Sequence, residues 1–482
     1  MRYEVIVIGA GLGGLECACL LSQAGRSVLV LEKEHHVGGC LQNYRRRGLD
    51  YDTGFHYVGG LEEGQSLHDA FARLRLLDLP WHRLDEAYDR ITLGDRTFFL
   101  VQGFDAFAET LAAEFPAERK ALQDYAALLA RVARDGGGEV QPADGNDLLE
   151  TGAWDYLTTR FRDPLLRDAL SGNSLRMELR RESLPLFTFA HCNAGYVESS
   201  WRLRGPGSQI TDRLAEVIRA HGGEIRCDAE VCELVEKEGR LTAARCRDGE
   251  TYEADTFISD LHPAVTCRLL RESRVLRKSY RRRMDTQPNT AGVLTVSLRL
   301  RPQTLPYFNH NHYVYAQPDV WAACRGESPV KAVMVSCRVP EDGTDYTRQV
   351  DLLTPMAWER CLPWADTTVG RRGEDYEEMK QGVAAECLAL AERVIPGLGA
   401  MADDCHISTP LTWRDYTGTP DGSAFGLRKD YHEPLTVLLS PRTPVPNLLL
   451  TGQSLMLHGV HGVTMTALRT CAEVENRNLD DT

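Results

Sequence analysis

Residues 3–10 read YEVIVIGA, an apolar run with no polar alternation that ends at a glycine. A run of this kind fits a strand buried on both faces of a parallel sheet. GLGGLECACLLSQAG follows, with Leu15, Ala18 and Leu21 on one face of a helix and Gly25 closing it. SVLVLEK, residues 27–33, is a second unbroken apolar strand. The chain thus predicts a βαβ unit almost from its first residue.

Further along, the pattern changes twice. Residues 66–134 read as mostly helical, in SLHDAFARLRLL, FDAFAETLAAEF and ERKALQDYAALLARVARD. DGGGEVQPADGND, residues 135–147, reads as a loop, and helical patterns resume to about 183. From 224 the period is two. EIRCDAEVCELVE, RLTAARC and TYEADTFIS, joined by KEGR and RDGE, predict a meander of short strands. VLTVSLRL (293–300), HYVYA (312–316) and KAVMVSCR (331–338) form a second group of strands. Residues 374–395 predict an amphipathic helix, and NLLLTGQ (447–453) another buried strand that leads into a helix of small residues. The fold class is α/β, and no internal repeat is present.

Composition narrows the classes. A chain of 482 residues exceeds what one core supports, so two or more domains are expected. A net charge of -14 argues against a nucleic-acid partner. The start MRYEVIVIGAG lacks the parts of a signal peptide, and no run reaches the length of a membrane span. The 14 cysteines include no CxxC, which reads as reduced, cytoplasmic and free of structural zinc. His310 and His312, and His35 and His36, lack partners at metal-ligand spacing, so no metal is expected.

The first candidate chemistry is at the opening turn. Gly9, Gly11 and Gly14 form G-x-G-x-x-G between a strand and a helix, with Gly13 in the same turn, and Glu32 ends the next strand at the expected separation. The glycines permit a tight turn, a pyrophosphate on the positive helix end, and close helix–strand packing. Glu32 can accept from ribose hydroxyls and disfavours a 2′-phosphate. A second such fingerprint is absent, which together with the missing CxxC argues against a disulfide reductase.

LEKEHHVGGCLQNY, with Glu32, Gly38 and Gly39, resembles the extended FAD signature of the flavoproteins that include amine oxidases and phytoene desaturases. RRRGLDYDTGFHYVGG and the meander through TYEADTFISDLHPAVT resemble other parts of the same group. STPLTWRDYTGTPDGSAFGL and NLLLTGQSLMLHGVHGVTMTA resemble the branch of carotenoid desaturases, carotenoid isomerases and retinol saturases, closest to bacterial retinol-saturase-like proteins. The resemblance implies FAD as cofactor and a Rossmann-like FAD domain from 1–75, 195–270 and 405–482. An inserted α+β substrate domain with a helical lid would come from 76–194 and 271–404. It implies that Val231 meets the adenine, and that Gly452 and Gln453 reach the pyrophosphate and ribityl chain. It places Gly459, Val460, Gly462 and Val463 at a helix start near the flavin, and adds Lys33 and Gly54 to the cofactor contacts.

Members of this branch act on conjugated, lipophilic double bonds. Hydride would pass from reduced flavin to one carbon, and a side chain or water would protonate the other. The candidates, in order, are His56, Tyr57, Tyr416 and His458. Gly54, Gly59 and Gly60 allow close approach beside the flavin, while Phe55 reads as core. His56 reads equally as a packed loop histidine, and His458 and His461 as turn caps. Asp415 and Tyr416 form a further candidate donor pair, with Trp413 and Phe425 packed beneath. Saturation, desaturation and isomerisation all remain open, as does the alternative of an amine-oxidase-like flavoprotein. Electrons would come from transient NAD(P)H docking, a reduced carrier protein or the substrate. RESRVLRKSYRRR (271–283) has seven basic residues against one acidic. It reads either as a peripheral contact with anionic lipid or as a solvated face.

Overall fold

The structure is a computed structural model that describes residues 2–135 and 145–480. Its first sheet has seven strands. Their order is Glu224–Arg226, Val28–Leu31, Arg2–Ile8, Thr251–Ser259, Arg240–Cys246 and Val231–Lys237, with Leu448–Leu450 paired to Thr251–Ser259. Arg2–Ile8 runs parallel to both neighbours, and the meander is antiparallel. Val28–Leu31 is fully buried, as is most of Arg2–Ile8, which explains their unbroken apolar sequences. The crossover helix Leu12–Gln23 packs between Ser208–Ala220 and the long helix Gly459–Asp480. It is therefore buried beyond the one face that Leu15, Ala18 and Leu21 define, taking in Glu16, Cys17 and Cys19.

The second seven-stranded sheet has the order Ala402–Ser408, Gly292–Leu300, Gln349–Met356, Ala332–Cys337, Asn311–Tyr315, Ala87–Leu93 and Arg96–Val101. Four of these strands, and Trp81–Arg83 outside this sheet, correct the reading of the sequence. Residues 81–101, expected within a helical region, form Trp81–Arg83 and the hairpin Ala87–Leu93 with Arg96–Val101. Two further strands, Gln349–Met356 and Ala402–Ser408, were not foreseen. The physical reason is non-local pairing. Ala87–Leu93 is held by Asn311–Tyr315, far away in sequence, and Tyr88 and Asp89, adjacent in sequence, are both buried.

The helices at Phe104–Glu114, Arg119–Asp135 and Glu374–Ala391 fall where periodicity puts them. Residues 136–144, most of the expected loop, lie outside the described residues, and Gly145–Glu150 is helical. A small sheet of Val58–Gly59, Ser200–Leu203 and Trp81–Arg83 supports the loop that carries His56. No helix among the described residues is long and apolar enough to cross a membrane.

Candidate active site

A cavity of about 500 Å3 extends from the opening glycine turn to the 54–59 loop and the start of the last helix. Gly9, Gly11, Gly13, Glu32, Lys33, Gly38, Gly39, Gly54 and Val231 line it. So do Gly452, Gln453, Gly459, Val460, Gly462 and Val463. Gly14 is outside the lining; a β-carbon there would overlap the Gly9 carbonyl oxygen.

The two glycine turns stand back to back. Gly38 N–H donates to the Ala10 carbonyl (2.8 Å), and a β-carbon on Gly39 would stand 3.1 Å from Gly11 Cα. Gly39 also has a φ of +53°, which favours glycine. Glu32 is buried; its Oε2 accepts from Ala10 N–H (2.7 Å) and its Oε1 from Glu34 N–H (2.9 Å). Burial raises its carboxyl pKa, which these bonds oppose. Each carboxylate oxygen has two lone pairs, so capacity remains for ribose hydroxyls. The backbone cradle, the helix end and Glu32 fit an adenine dinucleotide.

Asp260 was not foreseen. It follows the strand Thr251–Ser259, and its carboxyl lies against Gly11, Gly13 and Gly452. Burial pushes it up to about 7, although the Gly14 and Gly11 N–H groups favour its charged form. The one signal in the sequence was an acid immediately after a buried strand.

Several contacts hold the 50s run in place. Asp52 accepts from Gly207 N–H (2.8 Å) and pairs with Arg338, while Thr53 Oγ1 donates to the Cys40 carbonyl (2.8 Å). His56 lines the cavity, and its buried Nε2 has no hydrogen-bond partner among the described residues. Burial, more than any neighbouring charge, lowers its pKa, so the imidazole is neutral near pH 7. Phe55 is buried, with its ring 6.4 Å from Trp81.

The structure separates the four candidate proton donors. Tyr57 lines the cavity, but its hydroxyl donates to Asp89 Oδ2 (2.9 Å) and lies 2.8 Å from Tyr313 Oη. Tyr416 is 48% exposed and lies at the cavity rim. Asp415 is not its partner: Arg372 and Arg414 take the carboxylate, and Lys33 Nζ donates to the Asp415 carbonyl (3.2 Å). His458 Nε2 donates to the Arg176 carbonyl (3.1 Å) and its ring is 4.9 Å from Phe425. His461 also lines the cavity, and its buried Nε2 has no partner among the described residues. Burial pulls both histidines down to about 4.

A buried polar group behind this wall was also missed. Asp89 accepts from Tyr57, from Asn173 Nδ2 (3.2 Å) and from Asn311 Nδ2 (2.9 Å). Arg176 lies beside it and lines the cavity, as do His191 and Cys192.

The sequence matches the family described as flavin containing amine oxidoreductase over residues 12–475. Human all-trans-retinol 13,14-reductase is 25% identical over 99% of this chain and 86% of its own length. The chloroplastic prolycopene isomerase of Daucus carota is 23% identical over 88% of this chain and 71% of its own. The fold is shared with an oxidoreductase from Methanosarcina mazei, with a TM-score of 0.66, 17% identity, and 97% and 99% of the two chains covered. The relatives fall in the branch that the C-terminal segments resemble. With a matching family over nearly the whole chain and a dinucleotide cradle at its first turn, the chain belongs to the flavin-containing amine oxidoreductases and is an oxidoreductase with FAD as its cofactor.

Proposed function

We propose that this oxidoreductase acts on a carbon–carbon double bond of a lipophilic, conjugated molecule of retinoid, carotenoid or enone type, and saturates it. Bound FAD supplies hydride chemistry. The glycine turns, Glu32 and Lys33 hold the dinucleotide, with Val231 at the adenine and Gly452, Gln453 and Gly459–Val463 toward the flavin. The FAD domain takes the first sheet, and the substrate domain takes the second. The domain boundary then falls after Ser408 and not at 404, because Ala402–Ser408 pairs with Gly292–Leu300.

One observation carries the choice of substrate. The acidic residues that line the cavity are Glu32, Glu230 and Asp260, all on the dinucleotide side, while the remainder joins the apolar Leu175, Val293, Leu353, Trp413, Ala424 and Phe425 to polar groups that carry no carboxylate, among them His56, Tyr57 and Arg176. A cationic amine would enter a wall without a carboxylate among the described residues, whereas a polyene suits it. His56, whose buried Nε2 is unpartnered among the described residues, stands next to this wall and is the favoured donor. Its neutral state equally suits proton removal in the desaturating direction, so direction is decided by experiment.

The test is anaerobic. Enzyme reduced with dithionite is mixed with a retinoid, a carotenoid or a steroid enone, and the flavin absorbance is followed. Reoxidation by the alkene is expected. Reduction of the oxidised enzyme by a saturated analogue would reverse the direction, and reduction by simple amines would overturn the reading. Transient NAD(P)H or a carrier protein is the proposed electron source, tested by the rate at which each reduces the flavin. Peripheral membrane contact in a cytoplasmic setting is supported by 271–283, where Arg271, Arg274, Arg277, Lys278, Arg282 and Arg283 are exposed. Each engaged cation contributes about 1 kcal/mol on an anionic surface. Flotation with phosphatidylserine vesicles, lost on reversing these charges, checks it.

A further inference from the structure

Arg176 ends the short turn Ser174–Arg176 and lines the cavity beside Cys192 and His458. Its guanidinium lies 3.8 Å from the Tyr196 ring centroid and 5.3 Å from that of Tyr57. Nε donates to the Asn173 carbonyl (3.0 Å) and Tyr313 Oη (3.2 Å). Nη1 donates to the Cys192 carbonyl (3.0 Å) and Nη2 to Asn193 Oδ1 (3.3 Å). The group is therefore fixed in plane and position. Each Nη carries two hydrogens, and these bonds use one of each.

Its charge is not neutralised by contact. Asp89 is reached only through two phenols: Arg176 donates to Tyr313, Tyr313 meets Tyr57, and Tyr57 donates to Asp89. No carboxylate among the described residues forms an ion pair with Arg176. Arg176 is half-buried; a guanidinium stays charged at any working pH, and a cation withdrawn from water without a partner is costly. The same group occupies the face of Tyr196 that could otherwise receive a ligand cation. The arrangement repels a cation and attracts an oxygen.

We propose that Arg176 is the anchor for an oxygen acceptor on the substrate, so that the substrate is a conjugated chain ending in a carbonyl or carboxylate and not a plain hydrocarbon. This deepens the proposed function and rests on that reading of the cavity. The fork of N–H donors matches such oxygens. A cation on a terminal carbonyl also draws electron density along the conjugated chain, which makes its far carbon a better hydride acceptor.

The experiment compares three ligands with one conjugated skeleton, ending in a carboxylate, an aldehyde or a methyl group. Binding to the oxidised holoenzyme is read from quenching of intrinsic fluorescence, independently of turnover. The wild type should bind both oxygenated ligands about tenfold or more tightly than the hydrocarbon. Arg176→Gln should abolish that preference, and Arg176→Lys should retain part of it for the carboxylate. Equal binding of all three by the wild type overturns the anchor, and so does an equal loss of all three in Arg176→Gln. Retained FAD and an unchanged melting curve are the controls for folding. If Arg176→Gln fails them, Arg176→Lys decides, and an unchanged preference for the aldehyde then overturns the proposal. Failure of every ligand to reoxidise reduced flavin would count against double-bond reduction and leave the binding comparison to judge the anchor.

Discussion

An oxygen of Asp260 lies 2.8 Å from the point where a β-carbon on Gly13 would stand. The carboxyl therefore occupies the mouth of the dinucleotide cradle, at the positive end of the first helix. Its pKa is raised to about 7 by burial before FAD binds. Charge develops on it as pH rises through about 7, and that charge repels a diphosphate. FAD affinity should fall between pH 6 and pH 8, and Asp260→Asn should bind more tightly at pH 8 with a flatter profile. Quenching of flavin fluorescence at the two pH values checks this. The linkage to folding has the matching sign: a raised carboxyl pKa contributes stability that is lost as pH rises from about 4 to about 7.

Gly39→Ala tests the double turn. A β-carbon there meets Gly11 Cα at 3.1 Å in a backbone region that costs an L-residue about 1–2 kcal/mol. The variant should fold and lose FAD affinity by about tenfold or more. Wild-type FAD content after dialysis would show that the two turns do not share one ligand.

His56→Ala should keep FAD and slow turnover by about 10²-fold or more, the usual range for a lost proton donor. Tyr57→Phe should do less to turnover. It removes a bond to Asp89, so its effect should be lower stability, about 1–3 kcal/mol, from a buried carboxylate with one donor fewer. Single-turnover reoxidation and denaturant melts separate the two. Unchanged turnover in His56→Ala moves attention to His461, whose Nε2 is likewise unpartnered among the described residues.

Lys429 offers a pH test of the loop before the last helix. Its Nζ donates to the Ser454 (2.8 Å) and Leu455 (3.0 Å) carbonyls, and burial pulls its pKa down to about 7. The native state releases this proton above about 7, whereas the unfolded chain holds it to about 10. The unfolded state thus binds more protons in that window, and the lysine's contribution to stability improves as pH rises through it. Melting temperatures of wild type and Lys429→Met should shift in favour of the wild type from pH 7 to pH 9. A difference that stays constant would show that the lysine does not titrate there.

What was legible in the sequence was local chemistry. The turn at Gly9–Gly14, the acid at Glu32 and the glycine pair Gly38–Gly39 each state their geometry within a few residues. The strands at 81–101 did not, because Ala87–Leu93 owes its conformation to Asn311–Tyr315. Asp260 and Arg176 have the same character. An acid after a strand gains meaning only when the sheet brings it against Gly11, and an arginine in a short turn only when Tyr57, Tyr196 and Tyr313 converge on it from three other elements. The hydroxyl of Tyr57 and the carboxylate of Asp415 looked available in the sequence and are engaged in the fold, for the same reason.

The last helix, Gly459–Asp480, packs on the first, Leu12–Gln23, and Leu448–Leu450 joins the sheet that Arg2–Ile8 begins. During synthesis the cradle at Gly9–Gly14 leaves the ribosome long before the residues that close it. A nascent chain thus carries only half a vessel, and capture of the yellow cofactor must await synthesis of Leu448–Leu450 and the helix Gly459–Asp480. A stop codon placed before Leu448 should yield a colourless protein, however well its earlier parts fold.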